Sequence, residues 1–140
     1  MIDGPTQIAD LDLTEANREF VRSFAEEVLV NKQLDRLARC VNDADGFVEH
    51  HPHRPDGLGP LSSALSERTA TGDCSMGYER VHRVLAEGNF VLCAREGSFE
   101  GADTAFYDLF RVASNHIVEH WGSIEAIPPR SERKNDDGKF

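Results

Sequence analysis

Two residues of this chain have the types and the spacing for proton transfer. Asp108 and His120 each lie in a run of alternating residues, Ala105 to Ala113 and His116 to Ile124, rich in aromatic and β-branched side chains and split by a polar break at Ser114 and Asn115. That pattern predicts a β-hairpin. An acid and an imidazole among Phe, Val and Ile can exchange a proton with a molecule held in a cavity; in a solid core they satisfy each other instead. On the first reading Asp108 is a general base whose pKa is raised by apolar surroundings and tuned by the imidazole. On the second the two form a structural ion pair, and spacing alone does not separate the readings.

Register decides which side chains meet. A two-residue turn at Ser114 and Asn115 sets Asp108 opposite Trp121, whereas a three-residue loop, a type I turn closed by a left-handed Asn115, sets it opposite His120. The tolerance of Asn for positive φ favours the second. One face then carries Phe106, Asp108, Phe110 and Val112 beside Val118, His120, Gly122 and Ile124. The other carries Tyr107, Leu109 and Arg111 beside Ile117, Glu119, Trp121 and Ser123.

The elements that must position this hairpin follow from the period of the preceding chain. Residues 1–13, with the turn signal Asp3-Gly4-Pro5, read as an irregular lead-in. From Thr14, a candidate cap, Ala16, Phe20, Phe24 and Val28 fall on one helical stripe with Val21 beside it. A shorter helix follows with Leu34, Leu37, Ala38 and Val41 inward, ending in the turn-rich stretch 42–46. The loop 47–57 is too proline-broken for a helix and concentrates His50, His51 and His53. Residues 58–71 predict a third helix with Pro60 in its first turn and Leu61, Ala64 and Leu65 together. The period then switches to two: residues 78–86 and 90–99 read as strands, and the hairpin supplies two more. Residues 129–140 lack apolar periodicity and read as a mobile tail. Helices followed by a meander make an α+β domain over residues 14–128.

The bulk numbers bound the partners. A chain of 140 residues with 39% hydrophobic residues is sized for one core, and a net charge of -10 argues against nucleic acid and anionic membrane as partners. Cys40, Cys74 and Cys93 are odd in number and have no metal-ligand spacing, so they read as reduced thiols in a cytoplasmic protein. No signal peptide or membrane span is expected. The outer sheet face, with Tyr107, Leu109 and Trp121, is too apolar to leave in water, which predicts a homodimer through it.

Other candidates stand beside the hairpin pair. His50 and His82 are candidates for lining a pocket and orienting a ligand carbonyl, against the plainer role of packing or capping. A metal could gather His51 and His53 with His82, His116 or His120, but a site typically needs about three fixed ligands and no metal is expected. Arg111 and Glu119 read as a cross-strand salt bridge, and Cys93, alternating with Val91, as core. Neither a Gly-rich phosphate loop nor a nucleophile elbow is present, so covalent catalysis is not expected.

With EHHPHRPDG, VHRVLAEGNFV and FYDLFRVASNHIVEHWGSIEAIP in this order and spacing, the chain resembles the SnoaL-like polyketide cyclases. These lie within the nuclear-transport-factor-2-like superfamily that includes ketosteroid isomerases. The similarity covers roughly residues 16–128, and DLFR followed by IVEHW is its most specific part. The resemblance implies a cone-shaped α+β barrel, N-terminal helices packed on a strongly curved, mostly antiparallel sheet, open at one end to a hydrophobic ligand. It also implies acid–base residues inside the cone that assist an intramolecular aldol condensation or an isomerisation without metal or organic cofactor. By motif, the family's catalytic Asp falls at Gly122 here, a departure from the pattern. A second inward position, His in characterised cyclases, is Asp108, which points to an acid that has migrated. Asp108 as base, His120 as its proton-relay partner, and His50 or His82 as donor to the enolate oxygen would then act on a hydrophobic carbonyl compound. Phe106, Phe110, Val118 and Gly122 would line its pocket. The alternative is a non-catalytic module that binds a small apolar ligand in the same cone.

Overall fold

The switch from helical to strand period sets the layers of the fold, seen in a computed structural model that describes residues 3–42 and 46–140. Helix α1 spans Thr14–Phe24 and runs on into a wider, π-helical segment, Ala25–Val30. A 3-10 turn, Leu34–Arg36, leads into the one-turn α2, Leu37–Cys40, and α3 spans Leu58–Ser66. The strands are β1 (Val48–Glu49), β2 (Met76–Glu87), β3 (Phe90–Phe99), β4 (Ala102–Ala113) and β5 (His116–Ala126). They form one sheet in the order β1-β5-β4-β3-β2. The short β1 is parallel to β5 and every other pair is antiparallel, so the expected four-stranded meander gains a fifth strand from the proline-rich loop.

Helices on the concave face of a curved sheet give the α+β cone expected from the resemblance. Val21, Phe24 and Val28 from the first helix meet Val91, Phe106, Phe110 and Val112 of the sheet in the core. Each such side chain contributes ~1.5–3 kcal/mol by leaving water. The inward stripe of α1 differs from expectation at its start, where Ala16 is exposed and Asn17 is buried. The reason is polar: Asn17 Nδ2 donates to the Gly88 carbonyl at 2.9 Å, and the Gly88 amide donates to Thr14 Oγ1 at 2.8 Å. Thr14 thus fastens α1 to the β2–β3 turn instead of capping its own helix. In α2, Leu37 and Val41 are buried but Ala38 is exposed. Of the turn expected at 42–46, residues 43–45 lie outside the described residues. The third helix ends at Ser66, short of the expected 71, because Glu67 turns to an extended conformation.

The β4–β5 hairpin adopts neither expected register. Ser114 (φ 49°) and Asn115 (φ 61°) are both left-handed, the two-residue turn whose twist matches the flanking strands. Val112 then pairs with Ile117 but Arg111 with Glu119, leaving Val118 as a bulge. The bulge moves the pairing by one residue, so that Asp108 faces Gly122 and Phe110 faces His120. It also turns Ile117 into the core and Val118 out of it, the reverse of the expected faces.

The outer sheet face is partly covered by the chain's own ends. Trp121 donates to the Asp3 carbonyl at 3.3 Å and stacks on His50, ring centroids 4.6 Å apart. The tail, expected to be mobile, lies along this face. Its terminal Phe140 stacks on His82 at 4.1 Å and sits 6.3 Å from Tyr107, while Lys139 pairs with Glu125 at 2.5 Å. No helix among the described residues is long and apolar enough to cross a membrane.

Candidate active site

Asp108 and His120 meet inside the cone. The bulge brings His120 diagonally across from Asp108, and Nε2–H donates to Asp108 Oδ1 at 2.7 Å. The other ring nitrogen, Nδ1, donates to Glu49 Oε1 at 2.8 Å. Donation from both nitrogens requires the imidazolium. Glu49 reaches the site because β1 runs beside β5, with the His50 amide bonded to the His120 carbonyl at 2.9 Å. Glu49 Oε2 accepts from Arg54 at 2.8 Å, and Asp108 Oδ2 accepts from Arg95 Nη2. The result is a buried row of alternating charge: Arg54, Glu49, His120, Asp108, Arg95.

Electrostatics follow from the row. Burial on its own would raise the Asp108 carboxyl, but the Arg95 charge and the His120 hydrogen bond outweigh it and hold the pKa at about 2. This corrects the expectation of a base with a raised pKa: the apolar surroundings are present, and the neighbouring cations dominate them. Burial likewise pulls His120 down, while its hydrogen bonds to Asp108 and Glu49 push it up to about 9. Glu49 is held below the usual carboxylate range against its own burial, chiefly by His120.

Above this row lies an apolar hollow of about 20 Å³, walled by Phe24, Leu29, Val41 and Phe47 on one side and Leu61 and Leu65 of α3 on another. Tyr78, Phe110 and Ile117 complete it around Arg54, Arg95, Asp108 and His120. It has room for about one water molecule. The hollow is therefore much smaller than the expected open pocket.

Of the residues expected to line a pocket, Phe110 does so. Phe106 is core, packed edge-on against Tyr78 at 4.7 Å and one layer behind the hollow. Val118 is the bulged residue and is not among the lining. Gly122 faces Asp108 at the site's edge: a Cβ there would lie 3.0 Å from His120 Cε1 and 3.5 Å from Asp108 Oδ1. The missing side chain makes room for the dyad, at the place where the resemblance puts an Asp. His50 points to the outer face instead, donating to the buried Glu119 at 2.7 Å, and Glu119 also takes the expected salt bridge from Arg111 at 2.7 Å. His82 is turned outward as well, since it is itself the unpaired residue of a bulge in β2, and it donates to Glu96 at 2.8 Å. The metal alternative finds no convergence. His51 and His53 stay in their loop, His82 is outside, His116 bonds the Ser114 carbonyl, and His120 is held between two carboxylates.

Arg95, Glu49, Arg54 and Tyr78 join the site without having been expected there. Arg95 had a signal: Val91 and Cys93 alternate inward on β3, and the next step of two is Arg95, which is 1% exposed.

No family model and no curated protein sequence matches the chain. Solved structures do. A candidate ketosteroid isomerase from Kribbella flavida is 14% identical, with a TM-score of 0.70 over 91% of this chain and 94% of its own. A candidate polyketide cyclase from Acidithiobacillus ferrooxidans is 9% identical, TM-score 0.61, over 78% and 87%. An LEH-like epoxide hydrolase from M. tuberculosis is 20% identical, TM-score 0.59, over 80% and 84%. At these identities the likeness is one of fold. The chain has the nuclear-transport-factor-2-like fold, the one its resemblance to SnoaL-like proteins implies.

Proposed function

We propose that the chain is a SnoaL-like, cofactor-independent acid–base enzyme acting on a small hydrophobic carbonyl compound, by proton abstraction next to the carbonyl followed by condensation or isomerisation. The observation that supports it is the contact of His120 Nε2 with Asp108 Oδ1, at 2.7 Å, under an apolar hollow. His120 is the proton donor to the developing enolate oxygen, since it already carries the proton, and Asp108 is the base once a ligand loosens the grip of Arg95. The hollow holds about one water, so a ligand larger than that must displace part of its lining as it binds. The fold neighbours described as a candidate isomerase and a candidate cyclase fit this reading, although the fold hosts many activities.

The test is exchange of the protons flanking the carbonyl of apolar ketones in heavy water, followed by NMR with a panel that includes benzylacetone. Exchange lost in Asp108→Asn is the expected result. If no ketone exchanges faster with the native chain than with Asp108→Asn, the catalytic reading is wrong. The second reading, a binding module of the same cone, draws support from His120, whose nitrogens are both engaged by carboxylates. Ligand binding without exchange selects it.

A homodimer through the outer sheet face, at the part-exposed Tyr107, Leu109 and Trp121, belongs to the same proposal. Light scattering at twice the chain mass supports it, and a monomer mass overturns it.

A further inference from the structure

The four buried members of the row, Glu49, Asp108, His120 and Arg95, carry two charges of each sign, and the part-exposed Arg54 stands at the outer end. A buried polar group is ordinarily hydrogen-bonded, because an unmet one is costly away from water. The member of the row whose donors are not all met is Arg95. Its side chain is 1% exposed and borders the apolar hollow, yet Nε and Nη1 have no hydrogen-bond partner among the described residues. Nη2 is engaged by Asp108, and Tyr78 also interacts with the guanidinium. The face of the guanidinium rests on the Tyr78 ring at 4.0 Å, which fixes its plane and leaves its edges as the open contacts. Whichever Nη2 proton Asp108 takes, the other shares an edge with Nε or with Nη1, so one forked edge stays free. The part-buried Lys32 lies 5.1 Å from the same ring and adds positive potential there.

We infer that the hollow takes a carboxylate-bearing apolar molecule, its carboxylate docking on the free edge of Arg95 and its hydrocarbon body between Phe110 and the α3 leucines. The inference rests on the reading of this hollow as a ligand site and names the ligand class. A planar, two-oxygen anion matches a guanidinium edge, and the match is worth more in a dry site than in water. A consequence for chemistry follows: a carboxylate on Arg95 shares the guanidinium charge that now holds Asp108 down, which makes Asp108 a better base in the loaded site.

The experiment titrates the full chain with hydrocinnamate and with benzylacetone, two molecules of nearly the same shape of which one carries a carboxylate and the other a methyl ketone. Calorimetry or NMR shifts of residues lining the hollow give the two affinities. Hydrocinnamate is expected to bind at least about tenfold more tightly, and Arg95→Met to remove the preference, with Arg95→Lys keeping part of it. The comparison on the native chain stands even where Arg95→Met folds poorly. Equal or tighter binding of benzylacetone overturns the inference. So does a preference that survives in Arg95→Met, or failure of both ligands to bind at millimolar concentration with a water molecule on Arg95 in crystals. Ketone exchange without a carboxylate preference sinks this inference and leaves the catalytic reading intact. A carboxylate preference without exchange does the opposite.

Discussion

Raising the pH should weaken the fold through a single buried imidazole. His120 donates from both nitrogens to carboxylates, and its pKa stands at about 9 against an ordinary 6.5. A group whose folded pKa is raised contributes its full stabilisation below the unfolded value and loses it as pH climbs through the folded one. Below about pH 6.5 both states hold the proton. Between there and about 9 the unfolded chain gives it up while the folded chain keeps it, and stability falls. At about 1.4 kcal/mol per pH unit, the rise is worth ~3 kcal/mol, a large part of the 5–15 kcal/mol typical of a domain. His51, pulled down by burial and by Arg54, acts with the opposite sign, its cost to stability fading as pH climbs through the ordinary imidazole value. Cys93, pushed up to about 12 by burial, costs stability only above the ordinary thiol value of 9.0. Urea unfolding followed by fluorescence of Trp121, the one tryptophan, measures the change between about pH 6 and pH 9. His120→Gln should flatten the dependence. A loss below about 1 kcal/mol, or a His120 ring that titrates near 6.5 by NMR, would refute the reasoning.

Two further perturbations test the same row. Asp108→Asn leaves three cations facing one carboxylate and should cost ~3–5 kcal/mol, whereas Arg95→Met leaves two charges of each sign and should cost less. The double variant should recover part of the Asp108→Asn loss, and urea unfolding at neutral pH that ranks Arg95→Met as the worse single change would contradict the charge count. Gly122→Ala places a methyl 3.0 Å from His120 Cε1 and should destabilise by ~1–3 kcal/mol as an overpacked contact. An accompanying shift of the His120 ring resonances would locate the strain, and an unchanged ring signal would place the cost elsewhere.

Much of this arrangement was legible before the structure, and the limits have physical causes. Alternation gave the strands and the inward face holding Phe106, Asp108 and Phe110, because side-chain direction along a strand has period two whatever the partner. Pairing depends on something less local. A two-residue turn and one bulged residue, Val118, each shifted the register by one step in the same direction, which composition does not encode, so Asp108 met Gly122 across the ladder and His120 only on the diagonal. His82 misled for a related reason: bulges in β2 turned it away from the face it shares by count with Val84. Loops hid the most. Glu49 belongs to a proline-rich stretch without period, and only its pairing with β5 carries its carboxylate to His120.

The same contrast bears on what kind of site this is. Had the cone held only Asp108 and His120, burial would have dominated, and a carboxyl of raised pKa beside a neutral imidazole would be a ready general base. Glu49 and Arg95 reverse that balance by presenting full charges at contact distance, so the resting site is an imidazolium between two carboxylates with a cation at its end. Such a site is set to receive negative charge rather than to remove a proton. On the proposed reading, abstraction would become favourable when an incoming oxygen engages Arg95 and relaxes its hold on Asp108, so that ligand entry and activation of the base would be one event. A pH profile of turnover measured at saturating ligand should then show the acidic limb, where Asp108 loses its proton, well above about 2, and a limb that stays there would separate binding at Arg95 from catalysis at Asp108.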